Sequence, residues 1–198
     1  MAIEYPWYAI VEGDDLEQGD FIEDCEVLVP QYIPDAPVEN STSSGQLIYQ
    51  ATAIIVTYDV IIVSQSCDLE QAKLDYVLMC PRWSYKAYAE QNDEFKKIER
   101  LEQIRQGKIH KYFMLDRYND NNLSYEIQIV DLSQVFSIPY EAMKQIAKQR
   151  GKRLRLLSPY KEKLAQSFAY YYMRVALPND IPRFEKTKES AIAKAQSI

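Results

Sequence analysis

Not one Lys or Arg occurs in the first 72 residues of this chain, which carry 14 Asp and Glu, whereas residues 73–198 hold all 23 basic residues and the other 15 acids. The first part therefore bears a formal charge of −14 and the second +8. A compact fold must bring the two together or face like-charge repulsion within the first. The densest runs are eight acids between Glu12 and Glu26 and eight cations between Lys144 and Lys163. Their presence predicts either that the two runs pack against each other or that one face is built for a charged partner. With a net charge of −6 and a pI near 5.0, the whole molecule is not a general nucleic-acid binder.

At 198 residues, with 47% hydrophobic and 26% charged, the chain can bury one sizeable core. The uncharged apolar run at 53–58 is far short of the ~20 residues a membrane helix requires. Residues 1–4 (MAIE) lack the basic flank and apolar stretch of a secretory signal. These features lead to the expectation of a cytoplasmic protein without membrane contact. Cys25, Cys67 and Cys80 are odd in number and show no CxxC spacing, which argues against a disulfide framework and against a zinc ribbon. No metal or cofactor is expected.

Strand signals dominate the first half. Residues 8–11 (YAIV) and 25–29 (CEVLV) are rich in β-formers, and the acidic turn Glu12-Gly13-Asp14-Asp15 lies between them. The stretch 31–46, with Pro34, Pro37 and a Ser/Thr/Asn/Gly cluster, reads as a long exposed loop. Residues 53–63 (AIIVTYDVIIV) read as two strands around 57–59 or one long bent strand, apolar at consecutive positions as in strands covered on both faces. Residues 76–80 form another strand, closed by Pro81. From 85 to 106 the period changes to that of an amphipathic helix, with Phe95, Ile98, Leu101 and Ile104 as its apolar stripe and Gly107 as its stop. A hairpin over 112–115 and 125–129, turning at 119–122, comes next. It is followed by a strand at 135–138, a helix over 140–149, and a helix from Ser158-Pro159 to about Val175. Within that last helix Phe168, Tyr171, Tyr172 and Val175 have the spacing of a core-facing stripe.

Several pieces of this order are similar to one family. An early Gln18-Gly19-Asp20-Phe21-Ile22 turn leads into a strand, an apolar strand ends at Val63-Ser64-Gln65, the Tyr76-Val77-Leu78-Met79-Cys80-Pro81 strand follows, and a Leu157-Ser158-Pro159 helix start comes late. This pattern resembles the MazF/PemK toxin family. The resemblance implies an α+β fold: a small, mostly antiparallel SH3-like barrel over residues 7–136 with an inserted helix and C-terminal helices. In domain terms it implies a single MazF-like domain over 1–177, a helical insertion at 85–107 and a tail at 178–198. The Ser64-Gln65-Ser66-Cys67-Asp68-Leu69 and Leu157-Ser158-Pro159-Tyr160 pieces also look like those of a widespread bacterial family without known activity.

The resemblance further implies RNA cleavage by an Arg just before the second apolar strand and a Ser or Thr after the third. Here those positions fall on Tyr58-Asp59 and on Trp83, with Ser84 beside it. A carboxylate at Asp59 would repel a phosphate where that chemistry requires a cation. The expectation is therefore a non-catalytic MazF-like module that engages a protein or an RNA partner in a bacterial stress, defence or toxin-antitoxin setting. Its candidate binding residues are Ser64, Gln65, Ser66 and Asp68, displayed at a strand end, and Arg150, Lys152, Arg153 and Arg155, read as a loop between two helices whose guanidinium groups suit phosphate. The alternative is an enzyme: a ribonuclease with relocated groups such as Ser84, or a thiol hydrolase in which Cys67 is activated by His110, the single histidine of the chain.

Overall fold

The structure is a computed structural model that describes residues 5–31, 52–120 and 123–173. Most of the expected loop at 31–46, the end of the last helix at Val175 and the tail at 178–198 lie outside the described residues. In chain order the elements are β1 (Tyr8–Val11), β2 (Phe21–Gln31), β3 (Thr52–Ile62), α1 (Ser66–Glu70), β4 (Tyr76–Ser84) and α2 (Tyr85–Gln91). After a short 3-10 turn at Asp93–Lys96 come α3 (Ile98–Arg105), β5 (Tyr112–Leu115), β6 (Tyr118–Asp120), β7 (Leu123–Tyr125) and β8 (Gln128–Asp131). The chain continues with β9 (Phe136–Pro139), α4 (Tyr140–Arg150), β10 (Arg153–Leu156) and α5 (Tyr160–Tyr172). Every strand pairing among the described residues is antiparallel. The protein is thus an α+β chain, and no helix among the described residues is long and apolar enough to cross a membrane.

The main sheet runs β2-β3-β4-β8-β5, with β9 also on β4. Period-two alternation on β3 splits the core. Ile61 joins Tyr8, Phe21, Cys80, Val130 and Leu154 on one side, while Val60 and Ile62 join Ile22, Val77, Met79 and the α4 residues Met143 and Ala147 on the other. A smaller cluster of Phe95, Ile104, Tyr112 and Ile129 lies under α2 and α3. The β1–β10 ribbon connects to the head of β2 through the Asp20–Arg155 bridge.

Gly19 makes that junction. It adopts φ +90°, its N–H donates to the Ile62 carbonyl at 2.8 Å, and its own carbonyl accepts from Leu156 N–H at 2.9 Å. A Cβ there would stand 2.7 Å from Leu156 Cβ, so both the φ and the space require glycine.

The structure differs from the sequence expectation at several elements, four of which follow. β3 is one strand, but only Val60, Ile61 and Ile62 are covered on both faces; Ile54 and Ile55 are 47% and 67% exposed. The cause is β4, which leaves β3 after Pro81 to pair with β8, so among the described residues the far half of β3 pairs with β2 alone. Pro81 does not close β4, which continues to Ser84. On its non-β3 side Pro81 falls between the β9 ladder, which ends at Met79, and the β8 ladder, which starts at Arg82. No ladder N–H is required of it there.

The helix expected over 85–106 is broken into three pieces. Asn92 and Lys97 take extended dihedrals on either side of the 3-10 turn, and this rotates Phe95 inward to meet Tyr88 and Tyr112 edge-on. Ile98, expected in the apolar stripe, is instead 83% exposed. Gly107 does stop α3: its N–H reaches the Ile104 carbonyl and Lys108 N–H reaches Gln103, closing a Schellman turn. The fourth difference is β10, which sequence reading leaves as a loop.

Candidate functional site

The Ser64–Asp68 stretch follows β3 and turns sharply, and its two serines are spent on that turn. Ser64 Oγ accepts from Leu78 N–H at 2.8 Å, and Ser66 Oγ accepts from Gln18 N–H at 3.2 Å. Gln18, itself buried, donates from Nε2 to the Val63 carbonyl at 2.8 Å. These bonds satisfy backbone groups where three segments meet. Gln65 and Cys67 remain exposed, with Cys67 Sγ 3.7 Å from Gln65 Oε1 and 3.9 Å from Asp68 Oδ1.

The basic stretch does not form the predicted phosphate loop. Arg153 and Arg155 stand on β10, where Leu154 and Leu156 alternate with them and enter the core. Arg153 Nε donates to Asp20 Oδ2 at 3.0 Å, and its terminal nitrogens hold the Gly13 and Asp15 carbonyls. Arg155 donates to both oxygens of Asp20 and, at 2.6 Å, to Glu17 Oε1. Lys161 donates to the other Glu17 oxygen at 2.8 Å. Burial acts to raise the Glu17 pKa, but Lys161 and Arg155 together hold it below the ordinary carboxylate value. Farther out, Lys144 meets Asp14 at 3.5 Å and Arg150 meets Asp24 at 3.9 Å, while Lys152 is exposed. The acidic and basic runs therefore answer each other inside one molecule.

The two sequence stretches, about 90 residues apart, converge on one cleft of about 660 Å³. Its lining includes Ser66, Cys67 and Glu70 from α1, the Arg155 and Lys161 side chains with their partner Glu17, and Asp15, Lys144 and Tyr140. The lining is charge-balanced, three cations to three acids. His110 is not part of it. The imidazole lies in a second cleft of about 370 Å³, edge-on to Tyr170 with ring centres 4.5 Å apart. The Cys67–His110 pair expected for a thiol hydrolase is not brought together, because the two residues line different clefts. Cys25 and Cys80 are buried, and burial pushes their thiols up to about 11 and about 12.

The ribonuclease positions are occupied by structural contacts. Asp59 Oδ1 accepts from Asp24 N–H at 3.0 Å, Tyr58 stacks on Phe136, and Ser84 Oγ caps α2 by accepting from Ala87 N–H at 3.1 Å. Sequence reading missed Arg82, whose side chain is almost wholly buried. It hydrogen-bonds Glu23 and Gln128 and lies 4.3 Å from the Phe21 ring centre. Gln128, a polar residue within the strand expected at 125–129, is buried for this reason. Burial and the nearby Asp59 push the Glu23 carboxyl up in pKa, against the pull of Arg82 and Tyr125. The available signal was a lone cation inside the β4 strand, which implies a buried acid elsewhere.

A third feature crosses the face beside β5. A cleft of about 380 Å³ at Tyr85, Tyr118 and Tyr125 meets one of about 300 Å³ at Trp7 through Ile127, and that one meets the His110 cleft through Lys163. They are three adjacent clefts, with Ile127 and Lys163 standing between them. Among the described residues no group of three or more His, Cys, Asp and Glu is arranged to hold a metal. The fold defines a class, an α+β protein, with several surface depressions among the described residues. No family model, curated protein or solved structure matches the chain.

Proposed function

We propose that this protein is a non-catalytic, MazF-like binding module that engages a protein or RNA partner, in the bacterial stress, defence or toxin-antitoxin setting that the resemblance implies. The observation that carries the reading is the set of adjacent open clefts beside β5, separate from the cleft that holds Cys67. A thiol enzyme requires a base at its nucleophile, and His110 lines one of these other clefts instead. The barrel reading of the strands draws support from the β1–β10 ribbon. It bridges to β2 at Asp20 and Arg155 on one side, and on the other the Tyr8 hydroxyl donates to the Asp116 carbonyl, one residue past β5, at 2.7 Å.

The test compares wild type with Cys67→Ser and Ser84→Ala. A binding module keeps its partner in both variants, measured by titration of the isolated complex. Hydrolysis of an ester, peptide or RNA pool by wild type that disappears in either variant would overturn the reading.

A further inference from the structure

We propose that the outer half of β3 accepts an added strand from a partner protein, an extended apolar segment led by Lys or Arg. This rests on the binding-module reading in its protein form and adds a surface apart from the clefts, since residues 52–57 line none of them. The β3–β4 ladder is confined to Val60, Ile61 and Ile62, so among the described residues the second edge of β3 over 52–57 has no strand beside it. β2 is the other free edge of the same ribbon, and it carries the devices that deter strand addition: a bulge between Ile22 and Cys25, Pro30, and charges at Glu23, Asp24 and Glu26. Residues 52–57 (TAIIVT) carry no charge and no proline, and their register with β2 is unbroken. Six residues span about 20 Å, the ordinary length of a paired strand.

Leu28 and Ile55 are register partners on one face of the ribbon, 68% and 67% exposed, and Ile54 is exposed on the other face. A strand laid along β3 therefore meets apolar neighbours on both of its faces and gains by covering them. Acids stand at one end of this strip. Glu26 lies opposite Thr57 and Asp59 follows two residues on; both are exposed, and neither is in an ion pair among the described residues. No Lys or Arg occurs on β2 or β3. Charge complementarity thus requires a cation where the added strand passes Glu26 and Asp59. Antiparallel pairing, the form taken by every described ladder and the more stable one per residue, puts that cation ahead of the apolar run. A second copy of the chain does not meet the requirement: β3 laid on its own copy brings no cation to these acids, because none occurs before Lys73. A nucleic acid is repelled by them.

The experiment is fluorescence anisotropy of the full chain with a labelled synthetic peptide, Lys-Lys-Val-Thr-Val-Thr-Val-Thr, at two salt concentrations. Wild type is expected to bind, and amide hydrogen exchange within 52–57 is expected to slow when the peptide is present. Ile55→Lys, which places on this edge the residue that natural edge strands use for protection, should weaken binding at least about tenfold. Glu26→Gln/Asp59→Asn should weaken it roughly two- to thirtyfold at low salt and flatten its salt dependence. Ile98→Lys, the same change at an exposed position on α3, should leave binding unchanged. All the altered side chains are exposed, and unchanged circular dichroism confirms folding. The proposal is overturned if wild type ignores the peptide, if a copy led by two glutamates or one N-methylated at every Val and Thr binds as tightly, or if Ile55→Lys binds like wild type. A dimeric chain that Ile55→Lys makes monomeric also overturns it, since the edge then belongs to a second copy. A chain that ignores the peptide yet holds another protein partner removes this proposal alone, whereas thiol-dependent turnover removes the binding-module reading.

Discussion

Asp20 and Arg153, 133 residues apart in sequence, form a 3.0 Å ion pair with both side chains almost wholly removed from water. Asp20 also accepts from Arg155, so one carboxylate holds two guanidinium groups. Asp20→Ala leaves both cations in place without it, and breaking a buried pair in this way costs about 3–5 kcal/mol. Chemical denaturation should show that loss. Asp20→Ala/Arg153→Met removes the stranded charge as well and should recover part of it. Equal stability of the single and double variants would mean that the Arg153 charge left behind by Asp20→Ala costs nothing.

Gly19→Ala tests the junction next to it. The added methyl meets Leu156 Cβ at 2.7 Å, and the residue keeps φ +90°. Conformational strain alone costs about 1–3 kcal/mol, and the steric overlap adds to it. The same substitution at Gly13, which also has a positive φ but open space around its Cβ position, should cost less. The comparison of the two melting temperatures isolates the contact from the backbone effect.

Acid sensitivity follows from Glu17. Its folded-state pKa is held below the ordinary value of 4.5, so its contribution to stability is present above that pH and is lost as pH falls through the folded value. Wild type should therefore lose melting temperature steadily below about pH 4.5. Glu17→Gln should be less stable than wild type near pH 7 and show a shallower acid limb. Parallel acid limbs in the two proteins would show that Glu17 is not linked to folding.

Thiol counting checks the burial of the cysteines. The folded chain should react rapidly with an aromatic disulfide reagent at one site, Cys67, while Cys25 and Cys80 stay protected by burial and by thiols raised to about 11 and about 12. Denaturant should release all three. Cys67→Ser should abolish the native reaction.

Much of the fold was legible because its signals are local. β1, the core half of β3, α4 and the stop at Gly107 each follow from a few adjacent residues. The complementarity of the acidic and basic runs was legible as arithmetic. What was not legible depends on distant partners. Arg-Leu-Arg-Leu at 153–156 has a strand's alternation, yet its arginines read as solvent-facing until Asp20 is known to lie beneath them. The break at Asn92 has no Gly or Pro to announce it and is set by the seat that Tyr88 and Tyr112 make for Phe95. The convergence of Cys67 with Arg155 in one cleft is likewise a product of tertiary structure.

The pairing of β1 with β10 also sets an order of events during synthesis. Tyr8 pairs with Leu156, so the first strand waits for most of the chain to leave the ribosome before it has a neighbour. Residues 1–72 carry 14 carboxylates and no Lys or Arg. Self-repulsion of that acidic segment opposes its collapse on its own. The guanidinium groups that hold Asp20 in the folded protein, those of Arg153 and Arg155, stand more than 130 residues later in the chain.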